Sequence, residues 1–583
     1  MARQTPQRHI DAAMKDSART SAKGPGSGLR RIHGLRTAAI AGPARIGFIE
    51  RSLASLPRRL ADIIRLHDAL LFLRAFPDSP QVLRAATSAC DSFSRISRGL
   101  VRDRTRTRDT GIVGTISRVW ADFALAEWLC RSYSSQVEID WSAVTDTSAL
   151  YGLLRPIVQR AEEDAVDSGE LSTREWMALR RGKASTTDLA LLVHAAPTDR
   201  VGRRAFAANY DAAEVPLRWK LASSSGAATH NALRWKPVRY RRELRRAPAD
   251  PVRVIATPSS DISLLARRRA NDVIHVARAA LAARGREVYA LTYANPSEVY
   301  LADLGEGTAV AVVGVLPEFR MSLEANYGYV MLANGIPIGY GGVTPLYRQA
   351  NTGLNIFPSF RGGEAAFLWV AALRAFHSLF GVTRFVVNGT QIGDGNPEAI
   401  RTAALWFYYR LGFRPSDRKR RALAHREFAR LRDRRARTSP AMLRTLAAGD
   451  LWLDLPGYRR QDYFDEAWLV ECSRRTTLLL AAQESADPDA AAHAVTARVA
   501  HALGARGMTS RSRSERQAFH HLAPVCALLP GVERWSMASR AALVRLMLSK
   551  GLPQEREFVT MARRDRRFYP GLIRLLSGAA SPP

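Results

Sequence analysis

Along residues 63–76, IIRLHDALLFLRAF, apolar side chains recur at helical spacing, and the Pro77-Asp78-Ser79-Pro80 that follows breaks the run. The same period predicts further helices over residues 81–96, 116–133 and 148–165. Trp120 and Trp128 stand eight apart, a spacing that places both on one broad helical face, where core packing is the commoner fate of such rings. Residues 46–245 are therefore expected to form an all-helical domain, and nothing in their pattern names a chemistry. Residues 1–45 hold Arg, Lys, Ser, Gly and Pro with no sustained period, and are expected to be a disordered basic tail.

The pattern changes after Pro248. A helical stretch over 263–284 gives way to strand-like runs at 299–303, 310–316 and 327–333. Asn334-Gly335 then separates two apolar runs, a strong hairpin signal, with 336–343 as the returning strand. Residues 352–357 read as a strand leading into a helix over 363–380, and 384–387 as a short buried strand. Asn396 as cap, Pro397 at the first helical position and Gly412 just past the end frame another helix. From Arg418 onward the period is helical again. The expected architecture is α+β: a mixed sheet with helices over 246–420, between helical regions at 46–245 and 421–583.

Composition narrows this picture. At 583 residues the chain exceeds one ordinary core, and its 46% apolar content is that of a folded protein. The longest apolar run, Thr308 to Leu316, has strand length and is too short for a bilayer. No sustained hydrophobic segment follows the basic start, so no signal peptide is expected. Cys90, Cys130, Cys472 and Cys526 are far apart and form no CxxC pair. They are expected to be reduced, buried thiols of a cytoplasmic protein without a zinc site. The histidines form no HExxH, and no metal is expected. The net charge of +32, almost all of it arginine, admits two readings. One is the coding bias of a GC-rich bacterial genome spread over the surface. The other is an anionic partner: nucleic acid, a membrane face or a phosphorylated ligand, which charge alone does not separate.

The candidate chemistry lies in Ile356-Phe357-Pro358-Ser359-Phe360-Arg361-Gly362-Gly363-Glu364-Ala365-Ala366. A strand that turns tightly into a helix leaves backbone N–H groups pointing outward, and the helix dipole adds positive charge there. Glycines let a phosphate approach the backbone, and Arg361 supplies charge-assisted hydrogen bonds. The segment from about Tyr327 to Phe413 resembles the GNAT acyltransferases. There a strand ends in a V-x-P-x-x-R-G-x-G-x-G/A sequence opening a helix, followed by a strand, an asparagine and a helix ending Y-x-x-x-G-F. The last of these is matched by Tyr408-Tyr409-Arg410-Leu411-Gly412-Phe413, and the asparagine by Asn396.

The resemblance implies an N-acyltransferase that takes acetyl or another acyl group from coenzyme A to an amine by direct attack. Arg361, Gly362, Gly363, Glu364, Ala365 and Ala366 would hold the pyrophosphate, and the thioester would lie in a splayed gap between two central strands. Tyr408 would protonate the departing thiolate, with Tyr409 as its alternate. Three departures stand against the match. The family's second loop glycine is Glu364, and Asn396 lies farther from Gly412 than the pattern sets. No base is evident on the strand before the loop, and Glu324 is merely acidic and near in sequence. The bland alternative makes Gly362-Gly363 a plain turn and both tyrosines core aromatics. A second functional alternative is a fold that has lost catalysis and binds nucleic acid or protein. A third is an aminoacyl-tRNA-dependent transferase, ranked last because such enzymes usually carry two of these domains.

Overall fold

The computed structural model describes residues 42–57, 59–100, 107–182, 186–222, 226–259, 261–434, 437–483 and 485–578. The expected tail falls outside these residues except at its end, where a helix already begins at Pro43. The molecule is mixed helix and sheet. Its centre is a ten-stranded sheet, within which β5 (Ala294–Asp303), β6 (Thr308–Val315), β7 (Tyr327–Ala333) and β8 (Ile336–Leu346) form an antiparallel meander. Every residue of β6 and β7 is buried, because helices cover both faces and erase the alternation of a one-sided sheet. Asn334 and Gly335 both take positive φ, 47° and 80°, as a two-residue hairpin turn requires.

β9 (Gln349–Thr352) continues the meander antiparallel to β8, and β11 (Arg384–Val387) then pairs parallel to β9. The crossover between them is the helix Ala365–Phe380, which packs Phe376 and Phe380 against Tyr329 and Tyr327 of β7. The helix Arg267–Ala282 covers the opposite face, over Val299, Ala311, Val313, Val330 and Leu332.

Five expectations are corrected. The region 46–245 is not all-helical: β1 (Ile116–Trp120), β2 (Val137–Ile139) and β3 (Pro216–Lys220) form their own antiparallel sheet. Residues 116–120 alternate, with Ser117 and Val119 inward, and the helix begins only at Phe123, so Trp120 and Trp128 do not share one. Pro156 divides the expected helix at 148–165 into Thr147–Leu154 and Arg160–Asp167. Residues 262–264 are β4, paired to β5, and the helix starts at Arg267. The region 421–583 is not all-helical either. Leu451–Asp454 is β13, inserted antiparallel between β11 and β12 (Arg414–Pro415), so a boundary at 420 would cut the sheet.

The helices after 460 are fixed to the sheet by buried charge. Glu298 on β5 accepts hydrogen bonds from Tyr327 Oη and the backbone N–H of Glu555 and Arg556, each at 2.8 Å, and faces Arg320 at 3.5 Å. Arg320 in turn donates to the carbonyls of Lys550, Leu552 and Pro553. Burial pushes the Glu298 carboxyl up to about 7, and that of Glu287, which also faces Asp122, up to about 8. A carboxyl raised by the fold holds a proton that the unfolded chain releases, so its stabilisation is lost as pH rises through those values. His67 shows the opposite sign: burial and the nearby Arg284 and Arg74 lower it to about 3, so its stabilisation is lost as pH falls below about 6.5. The thermal midpoint is therefore expected to rise as pH is lowered from 8.5 to 6.5, for a gain of about 2 kcal/mol, and to turn over only below about pH 4.5, where the unfolded carboxyls are protonated too. A calorimetric pH series with a flat or falling midpoint above pH 6.5 would contradict this assignment.

Candidate functional site

β9 and β11 pair only over Gln349–Asn351 and Arg384–Val386. Beyond that point they part, because Asn355-Ile356 (β10) turns away from β11 to pair with Tyr340 and Gly339 of β8. Two side chains lie against the segment where β9 departs. Gln391 lies against Gly353, where an added Cβ would come within 2.6 Å of its amide carbon. Tyr408 brings its hydroxyl to the backbone N–H of Leu354, which donates to it at 3.3 Å.

The two candidate tyrosines have different surroundings. Both are buried on the short helix Ala404–Arg410. Tyr408 packs edge-on to Trp369 and Phe413 and points into the parted strands. Tyr409 faces away, under the guanidinium of Arg414 at 4.0 Å and against Phe428 at 4.8 Å. Burial pushes the Tyr408 phenol up to about 12, and the Leu354 hydrogen bond works against that rise. Tyr408 is therefore a neutral phenol at physiological pH.

The expected helix from Asn396 is two helices, Pro397–Thr402 and Ala404–Arg410, joined at Ala403 with φ 51°. Asn396 caps the first. Its side-chain oxygen accepts from Ala399 N–H at 3.1 Å, and its amide donates to the Thr390 carbonyl at 3.0 Å. The asparagine at the end of β11 is Asn388, exposed and capping the short helix Gly389–Ile392. Glu324 lies beside Ala325, whose N–H donates to Pro345, and Pro345 is registered with Ala350. That level is short of the point where the strands part, and burial raises the Glu324 carboxyl.

The loop that opens the crossover helix is a 3-10 turn, Pro358–Phe360, followed by Arg361 and the two glycines. Gly362 takes φ +82° with open space at its Cβ position. Arg361 is half-exposed and pairs with Glu398 at 2.8 Å. Ala365 and Ala366 lie in the first turn of the helix, which has no side-chain cap, so their N–H groups have no intrahelical acceptor.

Glu364 does not face that mouth. It is 1% exposed and turned inward, where Arg241 Nη1 reaches it at 2.5 Å. The Arg245 backbone N–H donates to it at 2.9 Å, and the Arg245 guanidinium holds it with contacts at 3.1 and 3.2 Å. The carboxylate that departs from the family pattern is thus neutralised from behind the loop.

The helix Leu60–Ala75 and Phe76 roof the same loop. Ser359 donates to Asp68 at 2.6 Å, and a Cβ on Gly363 would stand 3.2 Å from the Phe72 ring and 3.6 Å from that of Phe76. Gly363 is therefore tightly packed, whereas Gly362 is required for its φ. No local pattern signals Asp68, Phe72, Arg241 or Arg245, which reach the loop from more than a hundred residues away.

Among the described residues, no group of three or more His, Cys, Asp or Glu is arranged to hold a metal, and no helix is long and apolar enough to cross a membrane. The four cysteines are free and buried. Comparison of the chain with family models, with curated proteins and with solved structures finds no match.

Proposed function

We propose that the chain is an acyl-CoA-dependent N-acyltransferase that moves an acyl group, acetyl in the simplest case, to an amine. The observation that carries this reading is the Tyr408 hydroxyl set at the parted ends of a parallel strand pair, one strand of which leads into the uncapped mouth of the crossover helix. In this reading the pyrophosphate lies at the first-turn N–H groups of Ala365 and Ala366, with Gly362 at its closest approach and Arg361 exchanging Glu398 for phosphate. The thioester reaches back toward Leu354 and Tyr408. The amine attacks the thioester carbon, a C–N bond forms, the C–S bond breaks, and the surplus ammonium proton leaves to solvent.

The properties of Tyr408 refine its role. A phenol near pKa 12 holds its proton more tightly than a thiol of about 8.5, so it stabilises the departing thiolate by donating a hydrogen bond, and sulfur takes its final proton from solvent. The Leu354 N–H occupies an oxygen lone pair and leaves the hydroxyl hydrogen to point at sulfur.

Calorimetric titration with acetyl-coenzyme A tests the reading. The intact protein is expected to bind in the micromolar range, and Arg361→Glu to weaken binding at least tenfold, because it sets a carboxylate beside both Glu398 and the phosphate. Absence of binding to the intact protein at low and moderate salt would reject the coenzyme reading. The second reading, a fold without catalysis that binds nucleic acid or protein, is favoured by the roof of Phe72 and Phe76 over the loop and by the Arg361–Glu398 pair. That outcome would leave it standing.

A further inference from the structure

We propose that the helix Arg418–Arg434 is a docking strip for the phosphate backbone of a nucleic acid. Its sequence, RKRRALAHREFARLRDR, divides sharply by face. Leu423, Ala424, Phe428 and Leu431 pack inward, with Phe428 4.8 Å from the Tyr409 ring and 5.6 Å from that of Trp406. Arg418, Lys419, Arg421, Arg426 and Arg432 are all exposed.

The carboxylates of the helix do not cancel that face. Glu427 is buried and clamped to Arg430 at 2.6 and 2.8 Å. Asp433 lies beside Arg432, and Asp417 precedes the first turn, where it accepts from Arg420 N–H. Five exposed cations against two exposed carboxylates leave a surplus of three on a strip about 25 Å long, the rise of some seven nucleotide steps.

Two further features point to a polyanion. The first turn carries Arg418, Lys419, Arg420 and Arg421 and no acid, so Asp417, which caps it, is the one carboxylate set against four cations there. The remaining exposed positions, Ala422 and His425, carry no large apolar group, so the face has nothing to insert below a lipid headgroup. The strip rests on the helix that carries Tyr408, so a bound strand lies beside the candidate site, yet the inference stands without the acyltransferase reading.

Fluorescence anisotropy with the full chain, a 20-nucleotide single-stranded RNA and a 20-base-pair DNA duplex, across a salt series, tests it. The intact protein is expected to bind one or both, with affinity falling steeply as salt rises. The variant Arg418→Glu/Lys419→Glu/Arg426→Glu is expected to bind roughly a hundredfold more weakly at 0.1 M salt and to lose most of the salt slope. A control, Arg160→Glu/Arg506→Glu/Arg513→Glu, makes the same change in net charge at exposed sites elsewhere and is expected to lose little. Equal weakening of the two variants would show a diffuse effect of net charge and overturn the assignment of the strip. Failure of the intact protein to bind either probe would overturn it as well. So would binding to phosphatidylserine vesicles that the strip variant alone loses while its RNA and DNA affinity is unchanged. Acetyl-coenzyme A titration of the strip variant separates the two proposals, since unchanged coenzyme affinity with lost nucleic acid affects only one of them.

Discussion

Replacing Glu364 by glycine, the residue that would complete the resemblance to a GNAT loop, is expected to destabilise the protein by about 3–5 kcal/mol rather than improve any phosphate site. The carboxylate is fully buried and is the shared partner of Arg241 and Arg245. Arg241 retains the more exposed Glu306 at 3.5 Å, and Arg245 keeps the same Glu306 at 3.8 Å with the Leu304 carbonyl and the Thr308 hydroxyl, so two largely buried guanidinium groups would share one exposed counter-charge. Removing one member of such a group costs much more than the group itself contributes, because the remaining charges cannot regain water. The backbone gains nothing in exchange: Glu364 has φ −86°, which any residue adopts.

Glu364→Gln, which keeps the shape and the hydrogen-bond acceptor, is expected to cost about half as much. The combined change Glu364→Leu with Arg241→Met and Arg245→Met is expected to be milder than Glu364→Gly alone, since it removes the charges together. Denaturant titrations and thermal midpoints of these variants decide the matter. A Glu364→Gly protein as stable as the parent would show that the pocket behind the loop is wet and the ion group weak. New coenzyme binding in that variant would show that the carboxylate does face the ligand.

Glu364 also shows where sequence reasoning stops. Its misfit to a phosphate loop is visible in one line of sequence, but its resolution is not, because Arg241 and Arg245 come from over a hundred residues away through a segment without regular structure. Features with local causes were legible. The Asn334-Gly335 hairpin, the helix after the glycines, the buried strand at Arg384 and the Asn396-Pro397 helix start each follow from residues within a turn of one another. Other elements of three to five residues, unlike the wholly apolar run after Arg384, were not. Leu451–Asp454 is too brief to show a period, and only its slot between β11 and β12 makes it a strand. Ile116–Trp120 was hidden by the helix beside it, whose Trp128 completes an accidental helical spacing. The same holds for the site. The order of strand, loop and tyrosine was readable, whereas the divergence of Tyr408 from Tyr409, and the roof of Phe72 and Phe76, arise only from packing.

That divergence yields the second large effect. With acetyl-coenzyme A and an amine panel, Tyr408→Phe is expected to lower kcat by about 10²–10³-fold, the loss typical of one hydrogen-bond donor aimed at developing charge. Coenzyme affinity measured by calorimetry is expected to stay within a few-fold, since in the proposed reading the phenol would face the thioester end and not the phosphates. The substitution also removes the acceptor of the part-buried Leu354 N–H, so a stability cost of about 1 kcal/mol is expected with it. Tyr409→Phe supplies the contrast. Its ring packs on Phe428 under Arg414, so losing its hydroxyl leaves both contacts in place and is expected to leave turnover unchanged. The pH profile separates a chemical role from a structural one. A donor whose pKa is about 12 stays protonated through the assay range, so the parent is expected to show no loss of kcat on the alkaline side below about pH 10.5. Full turnover by Tyr408→Phe, or equal impairment of the two variants, would remove Tyr408 from the chemistry and leave it as a core aromatic that closes the gap between two strands.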